Sequence, residues 1–135
     1  MLLKIFTDGG SKGNPGPASI GVVFYLDGKI ILQHKEKIGI ATNNDAEYRA
    51  LTKALETVKD RFNNKNENSD LKIEIYSDSK LMVNQVNGLF KVKNNKIKEH
   101  ILKIRGLEQE IKKEITYHYI PREQNTYADM LVNQV

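Results

Sequence analysis

A chain of 135 residues, 39 % hydrophobic and 28 % charged, has room for one domain, 1–135, with a real apolar core, and a mean hydropathy of −0.53 excludes a membrane-embedded chain. The lack of cysteine excludes disulfides and thiolate metal sites. A net charge of +4 only weakly favours a polyanionic partner, and a start that turns polar at Thr7-Asp8 does not read as a secretory leader, so a cytoplasmic protein is expected.

Residues 2–8, LLKIFTD, read as a strand that stops at Asp8, and residues 9–18 are crowded with glycine and proline. Residues 19–39 read as a hairpin about Asp27-Gly28, a favoured two-residue turn. Over 43–62 the residues Ala46, Ala50, Leu51, Ala54, Leu55, Val58 and Phe62 recur at helical spacing. A polar loop is expected over 63–70, and LKIEIYSD (71–78) alternates as a strand. SKLMVNQVNGLF (79–90) predicts a helix with Gly88 near its end, and 95–113 predicts another, with Ile97, Ile101, Ile104, Leu107 and Ile111 on one face. EITYHYI (114–120) predicts a strand and NTYADMLVNQV (125–135) a short final helix. The first strands are joined tightly enough to run antiparallel. The later ones are separated by helices and are expected to be parallel. The expected fold class is therefore α/β, a mixed sheet with helices packed on it, and in such sheets sites lie at the carboxyl ends of strands.

Two strand patterns end in aspartate, Asp8 after KIFT and Asp78 after IEIYS. If both strands are central and parallel, the two carboxylates meet at one sheet edge. Glu47, in the first turn of the first long helix, and Asp129, in the first turn of the last, can join them. Clustered carboxylates repel one another and burial disfavours their charge, so four in one place call for a hard cation. Oxygen ligands with neither cysteine nor a histidine pair point to Mg²⁺ or Mn²⁺. Each acid also has a structural reading. Asp8 can be a turn former before Gly9-Gly10, and Glu47 can close a capping box with Asn44. Asp78 can cap the helix after it, and Asp129 can complement a helix dipole. The glycine-rich stretch GGSKGNPG is neither a Walker loop nor a dinucleotide fingerprint, since no Gly-Lys-Ser/Thr follows and a strand stands where a helix is required. It reads as a turn in which glycine supplies positive φ, as small residues that let a polymer backbone approach Asp8, or as both.

Together TDGGSKGNPGPASIG, TNNDAEYRAL, IYSDSKLMVNQVNG and YIPREQNTYADMLVNQ resemble type 1 ribonuclease H, in matching order from residue 3 to the C-terminus. The resemblance implies the ribonuclease H fold, a five-stranded mixed sheet of three antiparallel and two parallel strands. It implies endonucleolytic cleavage of the RNA strand of an RNA–DNA hybrid, leaving 5′-phosphate and 3′-hydroxyl ends. The family's catalytic and metal-binding acids fall on Asp8, Glu47, Asp78 and Asp129. Two Mg²⁺ ions, with Mn²⁺ as a possible substitute, are implied; Asp8 would bridge them, Asp129 would help hold the one on the water side, and Glu47 and Asp78 the other. Contacts to RNA 2′-hydroxyls are implied for Gly10, Ser11, Lys12, Gly13, Asn14, Asn43 and Asn44, and Ser79 belongs to the same substrate-binding set. Thr42 with Asn44 resembles the family's pocket for a phosphate of the DNA strand. A monomer without an obligate protein partner is expected.

The chain departs from many bacterial members in two places. The basic protrusion is reduced to GLFKVKNNKIKEH, where Lys91, Lys93, Lys96 and Lys98 either contact phosphates or form a solvated loop. PREQNTY stands where some members carry a mobile histidine loop, so Arg122 and Glu123 resemble a His-less branch, and His118 reads as a sheet residue. Alternative readings are another nuclease of the same superfold, a non-catalytic hybrid-binding module and a nucleotide-binding α/β domain.

Overall fold

The apolar alternation that opens the chain does not stop at Asp8. In a computed structural model, which describes residues 1–63 and 70–135, strand β1 runs Leu2–Ser11 and β2 runs Gly16–Leu26. The glycine-rich turn therefore shrinks to 12–15, and of its glycines only Gly13 takes a left-handed φ, 144°. A second tight turn joins β2 to β3 (Lys29–Ala41) through Asp27 and Gly28, with φ of 47° and 87°, the paired positive values of a hairpin turn that matches strand twist. Helix α1 follows at Asn43–Arg61, then β4 at Lys72–Ser77, α2 at Lys80–Val86 and α3 at Asn95–Ile111. Strand β5 spans Glu114–Tyr119, a short 3-10 turn Arg122–Gln124, and α4 Thr126–Gln134. Most of the polar loop expected over 63–70 lies outside the described residues. The helix expected over 79–90 ends at Val86, because Gly88 turns left-handed at φ 76° and leaves Leu89 and Phe90 exposed.

The sheet order is β3-β2-β1-β4-β5, with β1–β2 and β2–β3 antiparallel and β1–β4 and β4–β5 parallel. This is the mixed sheet of the ribonuclease H fold. One face carries Leu3, Ile5, Val22, Phe24, Ile73 and Ile75, packed against Tyr48, Leu51, Leu55 and Val58 of α1 and Ile97, Ile104, Leu107 and Ile111 of α3. Burial of each such side chain contributes roughly 1.5–3 kcal/mol. The other face meets α4, where Ala128 and Leu131 pack on Val23 with Phe6, Tyr25 and Tyr127 around them. Strands β1 and β2 are thus covered on one side by α1 and on the other by α4.

Candidate active site

In the parallel β1–β4 ladder Thr7 pairs with Ser77, so the next residues, Asp8 within β1 and Asp78 just past the end of β4, stand side by side. Two glycines bring the helices to them. A Cβ on Gly9 would lie 2.3 Å from the Ala46 carbonyl carbon, so only glycine lets the first turn of α1 press onto β1. Glu47 then arrives over the strand and accepts the Gly9 N–H. Gly21 stands opposite Asp8 in the β1–β2 register, and a Cβ there would lie 2.5 Å from the Ala128 carbonyl oxygen. That approach delivers α4 and, in its first turn, Asp129. Asn125, 1 % exposed, ties the start of α4 to the sheet by donating from Nδ2 to the Thr7 carbonyl at 2.9 Å.

Three of the four structural readings of the acids fail. Asp8 is a strand residue, not a turn former. The cap of α1 is Thr42, whose Oγ1 accepts from the Asp45 N–H at 3.1 Å, not a box of Asn44 with Glu47. The cap of α2 is Ser79, which accepts from the Met82 N–H at 3.2 Å, not Asp78. Asp129 does lie in the first turn of α4, where its charge suits the helix dipole.

Carboxylate oxygens of Asp8, Glu47 and Asp78 lie within 4.8 Å of one another. Burial, then the charges of Asp78 and Asp129, push the Asp8 carboxyl up to about 7. Glu47 is raised by burial and by the charges of Asp8 and Asp78. Asp78 is raised by burial, against the opposing charge of Arg122. Asp78 Oδ2 is buried with no hydrogen-bond partner among the described residues. A cluster that is all oxygen, desolvated, mutually repelling and left with an orphan acceptor fits a hard divalent cation, which reverses each of those penalties.

The acids open onto a cleft of about 880 Å³, lined also by Gly10, Ser11, Lys12, Asn43, Asn44, Ser79 and Arg122. Gly13, Asn14 and Thr42 do not line it. Asn14 Oδ1 accepts the Asn43 N–H at 3.0 Å, and Asn43 Oδ1 accepts the Ser11 N–H at 2.8 Å, which joins the glycine-rich turn to the start of α1.

The family described as RNase H matches residues 2–135. The chain belongs to the ribonuclease H family. A bifunctional protein of Mycobacterium tuberculosis is 36 % identical over 135 residues, covering 98 % of this chain and 35 % of its own length. Ribonuclease HI of Halobacterium salinarum is 36 % identical over 131 residues, covering 96 % of this chain and 61 % of its own. Among solved structures, LC11-RNase H1 in complex with an RNA/DNA hybrid matches with a TM-score of 0.90 at 41 % identity, over 98 % of this chain and 95 % of that one. RNase H1 of Halobacterium salinarum matches with a TM-score of 0.88 at 34 % identity, over 99 % and 96 % of the two chains. The chain spans about a third, 35 %, of the length of the mycobacterial relative. In this ribonuclease H sheet His118 stacks on Tyr76 at 5.0 Å, as expected of a sheet residue. The sequence reading missed Asn125, whose position just before a helix signals a cap. Its side chain makes no cap bond and serves β1 instead.

Proposed function

We propose that residues 1–135 form one ribonuclease H domain that cleaves the RNA strand of RNA–DNA hybrids, leaving 5′-phosphate and 3′-hydroxyl ends, with Asp8, Glu47, Asp78 and Asp129 as its catalytic and metal-binding acids. The observation that carries this is the meeting of Asp8, Glu47 and Asp78 oxygens within 4.8 Å in the lining of a cleft of about 880 Å³. Asp8, Glu47, Asp78 and Asp129 would hold two Mg²⁺ ions, or Mn²⁺ in their place, which would supply an activated water and neutralise charge at the scissile phosphate. The chain's own part is to hold its acids ready. The Gly9 N–H fixes the Glu47 carboxylate, Asn125 fixes the β1 end that bears Asp8, and Arg122 tempers the cost of the Asp78 charge. Backbone of Gly10, Ser11 and Lys12, with Asn43, Asn44 and Ser79, forms the wall that meets the RNA, where the 2′-hydroxyl distinguishes it from DNA. Asn43 is pinned to Ser11, so the two sides of that wall move together. The RNA/DNA hybrid bound by LC11-RNase H1 supports the substrate class. None of His34, His100 and His118 lines the cleft, which supports the His-less branch. A monomer is proposed.

The test is cleavage of a hybrid labelled on its RNA strand, beside duplex RNA and duplex DNA, in Mg²⁺, in Mn²⁺ and in chelator. Metal-dependent cutting of the hybrid, abolished in Asp8→Asn with hybrid binding retained, is expected. Binding without cutting would make the chain a hybrid-binding module. Cutting of duplex DNA instead would make it another nuclease of the superfold.

A further inference from the structure

Outside the acid cluster, another buried carboxylate stands close to the cleft. Asp45 lies in the first turn of α1, one residue after the cleft-lining Asn44, and its side chain is 8 % exposed. It closes no capping box. Its Oδ1 accepts from His100 Nε2 at 2.6 Å and lies 3.6 Å from Lys96 Nζ, both residues of the first two turns of α3. A carboxylate can only accept, so His100 carries its hydrogen on Nε2. The His100 ring lies flat on Tyr48, 5.1 Å between centroids and 7° between planes, and the Tyr48 hydroxyl donates to Gln85 Oε1 of α2 at 2.7 Å. Acid, imidazole, phenol and amide thus form one chain of contacts across α1, α3 and α2, threaded through the residues that follow Asn44 and Glu47.

A buried carboxylate without partners is costly, so something must hold Asp45 in place. What holds it is the start of α3, whose cap Asn94 and exposed Lys96 and Lys98 follow the exposed Lys91 and Lys93. That segment is joined to the cleft wall where Asp45, one residue after Asn44, meets Lys96 and His100, and its cations help a bound polyanion only if they stand at a fixed distance from that wall. We propose that Asp45 and His100 are positioning residues for hybrid binding: they lock the lysine-bearing start of α3 to the first turn of α1, so that the lysines and the cleft wall engage one hybrid in a single register. This rests on the hybrid-cleaving reading above. It assigns to these residues a part in binding and none in the chemical step.

The test compares wild type with His100→Ala, His100→Gln and Asp45→Asn, using hybrid cleavage kinetics in Mg²⁺ and equilibrium binding of an uncleavable hybrid in chelator. His100→Ala should raise KM and Kd by about fivefold to tenfold with kcat within about twofold, the signature of lost uniform binding. Its binding should also depend less steeply on salt, as misplaced lysines neutralise fewer phosphates. His100→Gln, which keeps a donor at that position, should recover most of the loss. Asp45→Asn keeps an acceptor for His100 but drops the charge that faces Lys96, so it should show an intermediate Kd, and it carries the test if His100→Ala does not fold. KM and Kd within about twofold of wild type in all folded variants, or a fall in kcat at unchanged KM, would overturn the inference. If wild type itself neither binds nor cuts the hybrid, it is the hybrid-cleaving reading that fails.

Discussion

Burial and neighbouring charge push the Asp8 carboxyl from 3.8 to about 7, and burial is the larger cause. In the unfolded chain the acids are apart and Asp8 titrates near 4, as an ordinary aspartate does. Between those values the folded state binds more protons than the unfolded one, so stability falls as pH rises. The contribution of Asp8 is thus fully present below about pH 4 and lost as pH passes about 7, and without metal the protein should be less stable at pH 8 than at pH 5. Asp8→Asn removes the charge but keeps the shape. At pH 8 in chelator it should stabilise the chain by roughly 1–2 kcal/mol, with part of the desolvation and the repulsion between Glu47 and Asp78 remaining. It should also flatten the loss between pH 5 and 8. Urea denaturation at both pH values reads both effects, and a mutant less stable than wild type at pH 8 would mean that Asp8 makes structural contacts that outweigh the repulsion. The meeting of Asp8 with Asp78 was legible in the sequence, because an aspartate that follows an apolar alternation stands out. Gly9, Gly21 and Asn125 were not, because what each does is set by a helix approaching from elsewhere in the chain. Gly9 read as part of a turn, yet it is a strand residue whose missing Cβ admits the turn bearing Glu47.

Helix starts show the same limit one level up. The spacing Asn44-x-x-Glu47 reads as a capping box, yet the cap of α1 is Thr42, two residues earlier. The fold chooses, since Glu47 is drawn to the Gly9 N–H and Asp45 to His100. Thr42→Ala should therefore cost about 1 kcal/mol in urea denaturation while Asn44→Ala costs less than about 0.5. Equal losses would return the cap to Asn44. The contact of α1 with β1 gives a harsher prediction. Gly9→Ala places a methyl 2.3 Å from backbone, which cannot yield as a flexible side chain would. The helix must shift, at roughly 1–3 kcal/mol. Glu47 moves with it, so Mg²⁺ affinity measured by calorimetry should fall even where the variant remains folded. Unchanged Mg²⁺ binding in Gly9→Ala would show that Glu47 does not depend on this contact for its place. The types of the strands and α-helices were legible, because each apolar period was long enough to read, whereas the 3-10 turn Arg122–Gln124 has no such period. The ends of α2 and β1 were not, because they depend on a left-handed Gly88 and on strand pairing that continues past Asp8.

At the scale of the whole molecule, the sheet order places β1 and β4 at the centre, where an antiparallel meander meets a parallel pair, and the cleft opens where their carboxyl ends emerge. Strand directions, though not that order, were legible from connection lengths. The distribution of charge was not, since composition gives only a sum. The sum is +4, from 21 basic and 17 acidic residues, but the basic side chains on the cleft itself are Lys12, Lys37 and Arg122. Lys96 stands beyond its rim through Asp45. Each phosphate neutralised contributes about −0.9 to the slope of log affinity against log salt on duplex DNA. A handful of cations facing the hybrid then gives an expected slope of about −3 to −5, well short of the value near −10 known for lac repressor. Hybrid binding to the metal-free protein should be measured from low to moderate salt, with chelator present so that no divalent ion competes for phosphate. A slope near −10 would mean that the exposed lysines at 91, 93 and 98 all bear on the substrate at once. A slope near zero would mean that backbone amides and asparagines carry the binding, and that the lysines at the start of α3 form a solvated surface.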